Sequence, residues 1–341
     1  MKLYAQEILN PSEWETWYQE QPHTLFTQSS DHGRFYETMG ESSWIIGIYK
    51  DKKLIGGAVV VSVHAKRGNF LYIPYGPTFV SNHEQAFTTL TNFLKDLGRR
   101  ERFHFIRVSP FIEDSAESRT LYRTQGYQPS PIHTLAEHTW LLHLDDSEEN
   151  LLRAMNKNHR NLIRRCEREG VIIKKESNPA SLEELNTLLT ETAEKHRFYR
   201  FSKQFIDQEF LTFAHKNQAL IFTATLPDGR IDAASIMMFY GTMACYRHSG
   251  SRNLDKRLPS SYLIQWEAIK EAKRRGMRWY NFWGIAPETA KPHHPFYGIT
   301  HFKKGFGGQG MILLPCQDLP LTKHYWLTWG IETLRKIKRG F

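Results

Sequence analysis

Two stretches of the chain show the same order of apolar and polar patterns, namely three strands, one amphipathic helix and a final strand. In the first stretch these elements are predicted at residues 44–50, 54–63, 70–74, 84–97 and 103–108. In the second stretch they are predicted at residues 219–226, 231–239, 243–249, 260–273 and 278–283. Because matching elements lie roughly 175 residues apart, the pattern favours a duplicated domain, and the alternative is coincidence between two ordinary α/β domains.

Residues outside the repeats predict two further helices. Asn10 and Pro11 begin a short helix that ends near residue 19, and residues 26–40 are predicted to be irregular, with or without one helical turn. Between the repeats, a strand at 139–144 leads to a capping box and to one long helix, which ends near residue 169 before Gly170. The second repeat's helix is expected to be capped by Ser260 or Ser261.

The long helix carries a basic stripe at spacings of three or four residues. Its members are Lys157, Arg160, Arg164 and Arg168, and His159 and Arg165 widen the positive surface. Such a stripe suits contacts with phosphates, and the alternative is an ordinary solvated helix face. A second basic segment, residues 335–339, ends an amphipathic tail that carries tryptophans. This tail predicts packing against the first domain or a contact with an anionic membrane.

Length, charge and cysteine usage are typical of a basic, globular, two-domain protein. The chain has 341 residues and a formal net charge of +9, so an anionic partner such as RNA, a phosphorylated metabolite or a membrane surface is expected. Cys166, Cys245 and Cys316 are far apart and predict neither a disulfide framework nor a zinc site. The amino terminus lacks the apolar core of a signal peptide, and no apolar run approaches the ~18 residues of a membrane span.

Several familiar catalytic motifs are missing from the sequence. It contains no GxSxG, no HExxH and no GxxxxGK[ST], and the clustered His293, His294 and His301 have no carboxylate or cysteine that would complete a metal site. The repeated pattern is similar to acetyltransferases that use coenzyme A. However, the [RQ]xxGx[GA] loop of those enzymes is absent before both predicted helices. We therefore expect no metal and no cofactor.

Residues 279–309 combine eight aromatic side chains with Lys303 and Lys304, and the stretch closes with Gly305, Gly307 and Gly308. Aromatic rings supply rigid walls, and a lysine between such walls is partly dehydrated. A dehydrated lysine can place a strong positive charge where a reacting oxygen becomes negative. The alternative is a buried strand end followed by an exposed basic turn.

Several distinctive segments occur along the chain, of which FWGI and FKKGFGG are the most specific and FTQSS, YIPYGPTF and NKNHRNLIRRCEREGV are weaker. In these segments and in their order, the chain resembles the FemABX family of peptidoglycan aminoacyltransferases. The resemblance spans nearly the whole chain. It implies an α+β fold with mixed sheets, in which two tandem acetyltransferase-like (GNAT) domains face a cleft. The first domain would cover residues 1–143, completed by 310–341, and the second would cover residues 144–309.

Some members of this family carry a coiled-coil arm in the second domain. Residues 201–217 leave no room for such an arm and show no sustained heptads, so the chain is most similar to the arm-less FemX-type members. Those members tend to use the soluble UDP-linked precursor. Their tRNA would then have to be held by a basic surface, for which the stripe of the long helix and the tail segment 335–339 are the candidates.

The resemblance implies transfer of an amino acid from aminoacyl-tRNA to the stem-peptide amine of a peptidoglycan precursor, either UDP-MurNAc-pentapeptide or lipid II. The amine attacks the ester carbonyl directly, which agrees with the missing nucleophile motif. We expect a cytoplasmic enzyme, with a peripheral contact at the inner membrane face if the acceptor is lipid-linked. The alternatives are a coenzyme-A-dependent N-acyltransferase and a non-catalytic RNA-binding protein.

The resemblance also implies roles for individual residues. Lys303 matches the family lysine that stabilises the oxyanion, Phe302 matches the neighbouring aromatic, and Lys304 is an auxiliary contact to phosphate. Arg197 lies where the family keeps a phosphate-binding arginine, and Arg34 stands in for a lysine near the amino terminus. A further substrate-binding candidate is Tyr75, in YIPYGPTF. Two more are Arg247 and Tyr262, in the segment YRHSGSRNLDKRLPSSYLIQWEAIKEAKRRGMRWYNFWGI, which also resembles the family.

Overall fold

The computed structural model describes residues 3–66, 68–80, 83–196, 199–291, 294 and 296–339. The chain forms two compact units. The first unit consists of Met1–Gln21, Thr27–Glu137 and Ile312–Phe341, and the second consists of Pro22–Phe26 and His138–Met311.

The described residues form strands and helices in the following order along the chain. The strands are β1 (Leu3–Glu7), β2 (Ser43–Lys50), β3 (Lys53–Ala65), β4 (Gly68–Pro74), β5 (Thr78–Phe79), β6 (Phe105–Ser109), β7 (Gln128–Pro129), β8 (His138–His143), β9 (Ile172–Glu176), β10 (Ala219–Thr225), β11 (Ile231–Tyr240), β12 (Met243–Ser251), β13 (Trp279–Gly284), β14 (Gln309–Ile312) and β15 (Gln317–Pro320). The helices are α1 (Pro11–Gln19), α2 (Ser30–Thr38), α3 (His83–Arg100), α4 (Ala116–Thr124), α5 (Glu148–Ala154), α6 (Lys157–Arg168), α7 (Ser181–His196), α8 (Lys203–Ala214), α9 (Ser260–Arg274), α10 (Tyr297–Lys304) and α11 (Tyr325–Arg339), and a 3-10 turn covers Phe26–Gln28.

The first sheet has the strand order β1-β2-β3-β4-β6-β15-β7, and β5 pairs with β3. Its strands β4 and β6 are parallel. A parallel pair needs a crossover connection, and helix α3 supplies it. Phe87, Leu90 and Leu94 lie on the buried face of α3 and pack into the core that covers this sheet. The C-terminal segment contributes β15, which pairs with both β6 and β7.

The second sheet has the strand order β14-β8-β13-β12-β11-β10-β9. Here β12 and β13 are parallel, and helix α9 connects them. Leu263, Ile264 and Ala268 of α9 are buried in the core of this unit. In both sheets, three consecutive antiparallel strands are followed by a helix and by a strand that is parallel to the third. The predicted duplication and the α+β class are therefore confirmed.

Two predictions outside the repeats are wrong. The segment predicted to be irregular contains the nine-residue helix α2, whose first turn is capped by the Ser29 hydroxyl, which accepts a hydrogen bond from the His32 amide at 3.1 Å. The predicted long helix is two helices, α5 and α6, because Met155 between them is extended. Asn156 then begins α6 by accepting hydrogen bonds from the amides of Asn158 and His159.

The predicted serine cap of α9 is also wrong. Pro259 holds the cap position, and no side chain makes a capping hydrogen bond there. The Ser260 hydroxyl instead donates to the Asp232 carboxylate at 2.5 Å. Between β9 and β10 the described residues form α7 and α8, of 16 and 12 residues, in place of a coiled-coil arm.

Candidate active site

Strand β13 ends in an irregular segment that presents a carbonyl group to Lys303. The register between β13 and β8 shifts between Asn281 and Gly284, and Trp283 within this bulge has a φ of +66°. Such a conformation is strained for a bulky aromatic residue, so its surroundings must stabilise it. The buried Asn281 side chain does so, because its Oδ1 accepts hydrogen bonds from the Trp283 amide at 2.8 Å and from the Thr139 hydroxyl at 2.7 Å.

Lys303 reaches this carbonyl from the last turn of helix α10. Its side chain is buried, its Nζ donates to the Gly284 carbonyl at 2.6 Å, and the ring of Tyr246 lies 5.7 Å from Nζ. Burial lowers the pKa of Lys303 from 10.5 to about 7. In the part of the chain that the structure describes, no carboxylate offsets this effect.

A lysine in this state can donate hydrogen bonds and still hold a positive charge. At a pH near 7 both of its protonation states are populated, since its pKa is about 7. The ammonium form has three donors, of which the Gly284 carbonyl takes one. The remaining donors, in surroundings that contain little water, can stabilise an oxyanion.

The imidazole of His159, a residue of helix α6, packs against the turn that follows Lys303. His159 Nε2 lies 2.9 Å from the Phe302 carbonyl, and its ring meets the rings of Tyr262 and Phe306 edge to face at 4.7 and 4.8 Å. Burial lowers the pKa of His159, and its Nδ1 has no hydrogen-bond partner among the described residues. The prediction that His159 widens a basic surface is therefore wrong, since the neutral ring is a packing element under the turn.

Gly305 fits only because it has no side chain. A Cβ at this position would overlap the His159 ring. The Gly305 carbonyl accepts a hydrogen bond from the Asn156 amide at 2.9 Å. The segment between α5 and α6 therefore holds this turn in place. Gly307 and Gly308 have φ values of +87° and +92°, which favour glycine directly.

The predicted residues of this segment lie together in the second unit. Phe302 meets the ring of Tyr262 edge to face at 4.9 Å, with Lys303 next along the helix. The Lys304 Nζ lies 5.2 Å from the centre of the Trp140 ring. Phe302, Lys303, Lys304 and Tyr262 therefore form one cluster around the end of α10.

Arg247 supports the bulge from another direction. Its guanidinium pairs with Glu209 through two donors at 3.0 Å and lies 5.2 Å from the centre of the Trp283 ring. Glu209 also lies 3.0 Å from His248 Nε2. Burial alone would raise the pKa of Glu209, but Arg247 and His248 hold it well below its usual range. Because its pair with Glu209 fixes the guanidinium, Arg247 can hold the Trp283 ring in position.

The other predicted residues lie in different surroundings. In the first unit, Arg34 is exposed on α2 and pairs with Asp31 at 3.1 Å, whereas Tyr75 is buried and donates its hydroxyl hydrogen to the Ala136 carbonyl at 2.9 Å. Arg197 lies outside the described residues.

The basic stripe is largely exposed on α6. Lys157, Arg164 and Arg168 are exposed. Arg160 is half-buried and donates to the backbone carbonyls of Arg153 and Met155 at the end of α5. It therefore has a structural role in joining the two helices.

The described residues contain no group of three or more His, Cys, Asp and Glu side chains that could hold a metal ion. None of the helices among them is long and apolar enough to cross a membrane.

Solved structures with a similar arrangement define the class of fold. A crystal structure of FemX aligns with a TM-score of 0.84 at 15% identity, covering 97% of this chain and 100% of that chain. L-PGS from Bacillus licheniformis aligns with a TM-score of 0.57 at 13% identity, covering 95% and 96% of the two chains. A tandem GNAT protein from the clavulanic acid biosynthesis pathway aligns with a TM-score of 0.55 at 9% identity, covering 94% and 99%. These likenesses show a tandem acetyltransferase-like fold.

The sequence defines the family more narrowly. The model of the FemAB family matches residues 9–120, 122–229 and 227–327. Comparison with curated protein sequences gave no match. The chain belongs to the FemAB family, whose members are transferases that form peptidoglycan bridges, and it is FemX-like in structure.

Proposed function

We propose that this protein is an aminoacyltransferase that moves an amino acid from aminoacyl-tRNA to the stem-peptide amine of a peptidoglycan precursor, either UDP-MurNAc-pentapeptide or lipid II. Membership of the FemAB family supports the transferase class. The observation that carries the proposal is the buried Lys303, which has a lowered pKa and bonds to the Gly284 carbonyl. Both the donor and the UDP-linked acceptor are cytoplasmic molecules, so the proposal includes a cytoplasmic location.

The reaction needs no nucleophile from the protein. The acceptor amine attacks the ester carbonyl of the aminoacyl-tRNA and forms a C–N bond, which places a negative charge on the former carbonyl oxygen. Collapse of this intermediate breaks the ester C–O bond and releases the terminal hydroxyl of the tRNA, which gains the proton that the amine loses. The residues of the site have to align the two substrates and stabilise the oxyanion.

Lys303 is the proposed partner of the oxyanion. The donors that Gly284 does not use would bond to the developing negative charge, and that charge would raise the pKa of Lys303 toward its ordinary value. Loss of one well-placed oxyanion donor typically costs about 3–4 kcal/mol of transition-state stabilisation. The rings of Phe302 and Tyr262 would keep water away from the ester and so strengthen the interaction.

The remaining candidates are assigned to substrate phosphates. Lys304, beside Lys303, is proposed to contact a phosphate of the precursor or of the tRNA. Arg34 is exposed and keeps donors for a phosphate beyond its pair with Asp31. Arg197 is proposed for the same role from its place in the sequence. Tyr75 and Arg247 would act by shaping their surroundings, because each is held by bonds within its own unit.

The tRNA itself would be bound by exposed cations of the basic stripe. Lys157, Arg164 and Arg168 lie on one exposed side of α6. Contacts of this kind depend on the salt concentration, because phosphate-bound counterions are released. Arg160 is expected to contribute less, because the carbonyls at the end of α5 occupy its guanidinium.

The experiment that tests the proposal combines two donors with two acceptors. Purified protein is incubated with radiolabelled aminoacyl-tRNA or acyl-coenzyme A, and with UDP-MurNAc-pentapeptide or lipid II. We expect label in the stem peptide only when aminoacyl-tRNA is the donor. Transfer from acyl-coenzyme A without tRNA would contradict the donor. A salt-sensitive complex with tRNA and no transfer to either acceptor would contradict an enzymatic function.

A further inference from the structure

The C-terminal helix α11 docks on the first unit through a polar face. Its buried residues are Tyr325, Thr328 and Glu332, which recur at the spacing of one helix face. Glu332 pairs with the buried Arg107 at 2.7 Å, and Arg107 also pairs with Asp318 of β15. The helix is thereby fixed to the sheet by ion pairs and by few apolar contacts.

The Tyr325 side chain strengthens this attachment. Its ring meets Phe105 edge to face at 5.2 Å, and its hydroxyl donates to Asp318 at 3.2 Å and accepts from Gln128 at 3.0 Å. Thr328 lies against Gly68, where a Cβ would come within 2.6 Å of its hydroxyl oxygen. The three buried side chains of α11 therefore all contact other residues of the first unit.

Five apolar residues of α11 lie on its exposed side, whereas Tyr325 is buried and Ile331 is half-buried. The five are between 37% and 72% exposed, and they comprise Trp326, Leu327, Trp329, Leu334 and Ile337. At 3.6 residues per turn, these five positions cover about 160° of the helix circumference. A surface helix normally turns its apolar stripe toward the core, so the arrangement of α11 is inverted. An apolar stripe of this size that the fold leaves exposed indicates an interaction surface.

The charges beside this stripe are all positive. Lys336 lies next to Trp329 on one edge of the stripe, and Lys338 lies next to Leu327 on the other edge. Glu332 is the single acidic residue of the helix, and it points to Arg107 on the opposite side. Two tryptophans, flanking lysines and an apolar stripe are the combination found in helices that lie in the interface of an anionic bilayer.

We propose that the exposed side of α11 is a docking surface for an anionic phospholipid bilayer. Trp326, Leu334 and Ile337 would enter the boundary between headgroups and acyl chains, and the flanking lysines would contact the headgroups. The charge pattern disfavours a second copy of this chain as the occupant, because a symmetric contact would bring lysines together without a carboxylate. It also disfavours RNA, because the centre of the surface is apolar and the cations lie only at its edges.

Bilayer binding does not depend on the proposed transfer reaction and is measured without any substrate. If the proposed function holds, however, docking would bring the transferase to lipid-linked precursors. The two questions are therefore separable: failure of vesicle binding leaves transfer to the soluble precursor untouched, and failure of transfer leaves vesicle binding untouched.

The test is co-sedimentation of the full chain with vesicles of phosphatidylcholine alone or mixed with phosphatidylglycerol. We expect binding to the mixed vesicles that falls with added salt, and a loss of at least about tenfold in W326E/L334E. The matched control is Leu9→Glu, which replaces another highly exposed leucine of the first unit and is expected to bind like the wild type. Equal thermal unfolding of the three proteins shows that the substitutions leave the fold intact.

Three results would overturn the proposal. The first is that the wild type does not bind the mixed vesicles, and the second is that W326E/L334E binds them as well as the wild type does. The third is that the same double substitution dissociates a dimer of the chain, or weakens tRNA binding, without changing the binding to vesicles.

Discussion

The His159 ring lies so close to Gly305 that any side chain at position 305 would overlap it. Gly305 itself has a φ of −68°, an ordinary value for any residue. The glycine is therefore required for space and not for its conformational freedom. Since Nε2 of the same ring bonds to the Phe302 carbonyl at 2.9 Å, His159 holds the backbone on both sides of Lys303.

This relationship predicts that Gly305→Ala destabilises the protein by about 1–3 kcal/mol, because the new methyl group displaces the His159 ring or the turn. The same change should be less costly in a His159→Ala background, where the space is free. Urea unfolding of the two single variants and the double variant measures the coupling.

Gly298→Ala is the matched control for that series. Gly298 lies in the same helix α10, and nothing lies within 4 Å of a Cβ built there. This change should be neutral or stabilise the protein by up to about 1 kcal/mol. The relationship would be refuted by a Gly305→Ala variant that is as stable as Gly298→Ala.

The lowered pKa of Lys303 predicts a dependence of stability on pH. Its pKa is about 7 in the folded protein and ordinary in the unfolded chain, so between these values the unfolded chain binds a proton that the folded protein does not. Relative to Lys303→Met, the wild type's free energy of unfolding should therefore rise as pH increases above 7, by up to about 1.4 kcal/mol per pH unit. Below pH 7 the two curves should run parallel.

Urea unfolding across this pH range checks the prediction. Lys304→Met is the control, because Lys304 is only half-buried, and its curve should follow that of the wild type. A difference between wild type and Lys303→Met that stays constant above pH 7 would show that Lys303 is not dehydrated in the folded protein.

Asn281 is predicted to maintain the bulge that presents the Gly284 carbonyl. Asn281→Ala removes the acceptor of two hydrogen bonds, one donated by the Trp283 amide and one by the Thr139 hydroxyl, which should cost about 1–3 kcal/mol and should also slow transfer. Thr139→Val is the graded control, because it removes one of the two bonds and keeps the Trp283 bond intact. An Asn281→Ala variant with the transfer rate of Thr139→Val would contradict the role of the bulge.

The Glu209–Arg247 pair is predicted to be strongly coupled. Either Glu209→Gln or Arg247→Met alone removes one charge of this buried ion pair, at a cost of about 3–5 kcal/mol, and the double change should recover much of the loss. Glu149→Gln breaks the exposed pair with Arg153 and should change stability by no more than about 1 kcal/mol. Additive costs of the two buried substitutions in denaturant unfolding would contradict the coupling.

The architecture of both units could be predicted from the sequence because it follows from local patterns. Strand alternation and the amphipathic helices repeat in the same order in both halves, and these patterns alone indicate the duplicated α+β fold. The cluster of aromatics, lysines and glycines also indicates Lys303 as a candidate catalytic residue. This prediction depends on the residue types and on the family resemblance.

The geometry of the site could not be predicted, because it depends on contacts between distant residues. His159 looks like one more cation in a basic stripe, and its burial depends on Phe302, which is 143 residues away. The break before α6 is stabilised by the Gly305 carbonyl, whereas the local sequence 148–169 favours a continuous helix. Helix α10 is short, contains Gly298 and ends before Gly305, so the sequence pattern does not distinguish it from a turn.

Lys303→Met in the transfer assay is the sharpest test of Lys303 as the partner of the oxyanion. With aminoacyl-tRNA and the accepted precursor at saturation, we expect kcat to fall about a hundredfold to a thousandfold, with little change in the KM for the tRNA. Lys304→Met, the neighbouring substitution, should have a much smaller effect on kcat. A Lys303→Met enzyme that transfers the amino acid at the wild-type rate would show that Lys303 does not stabilise the oxyanion.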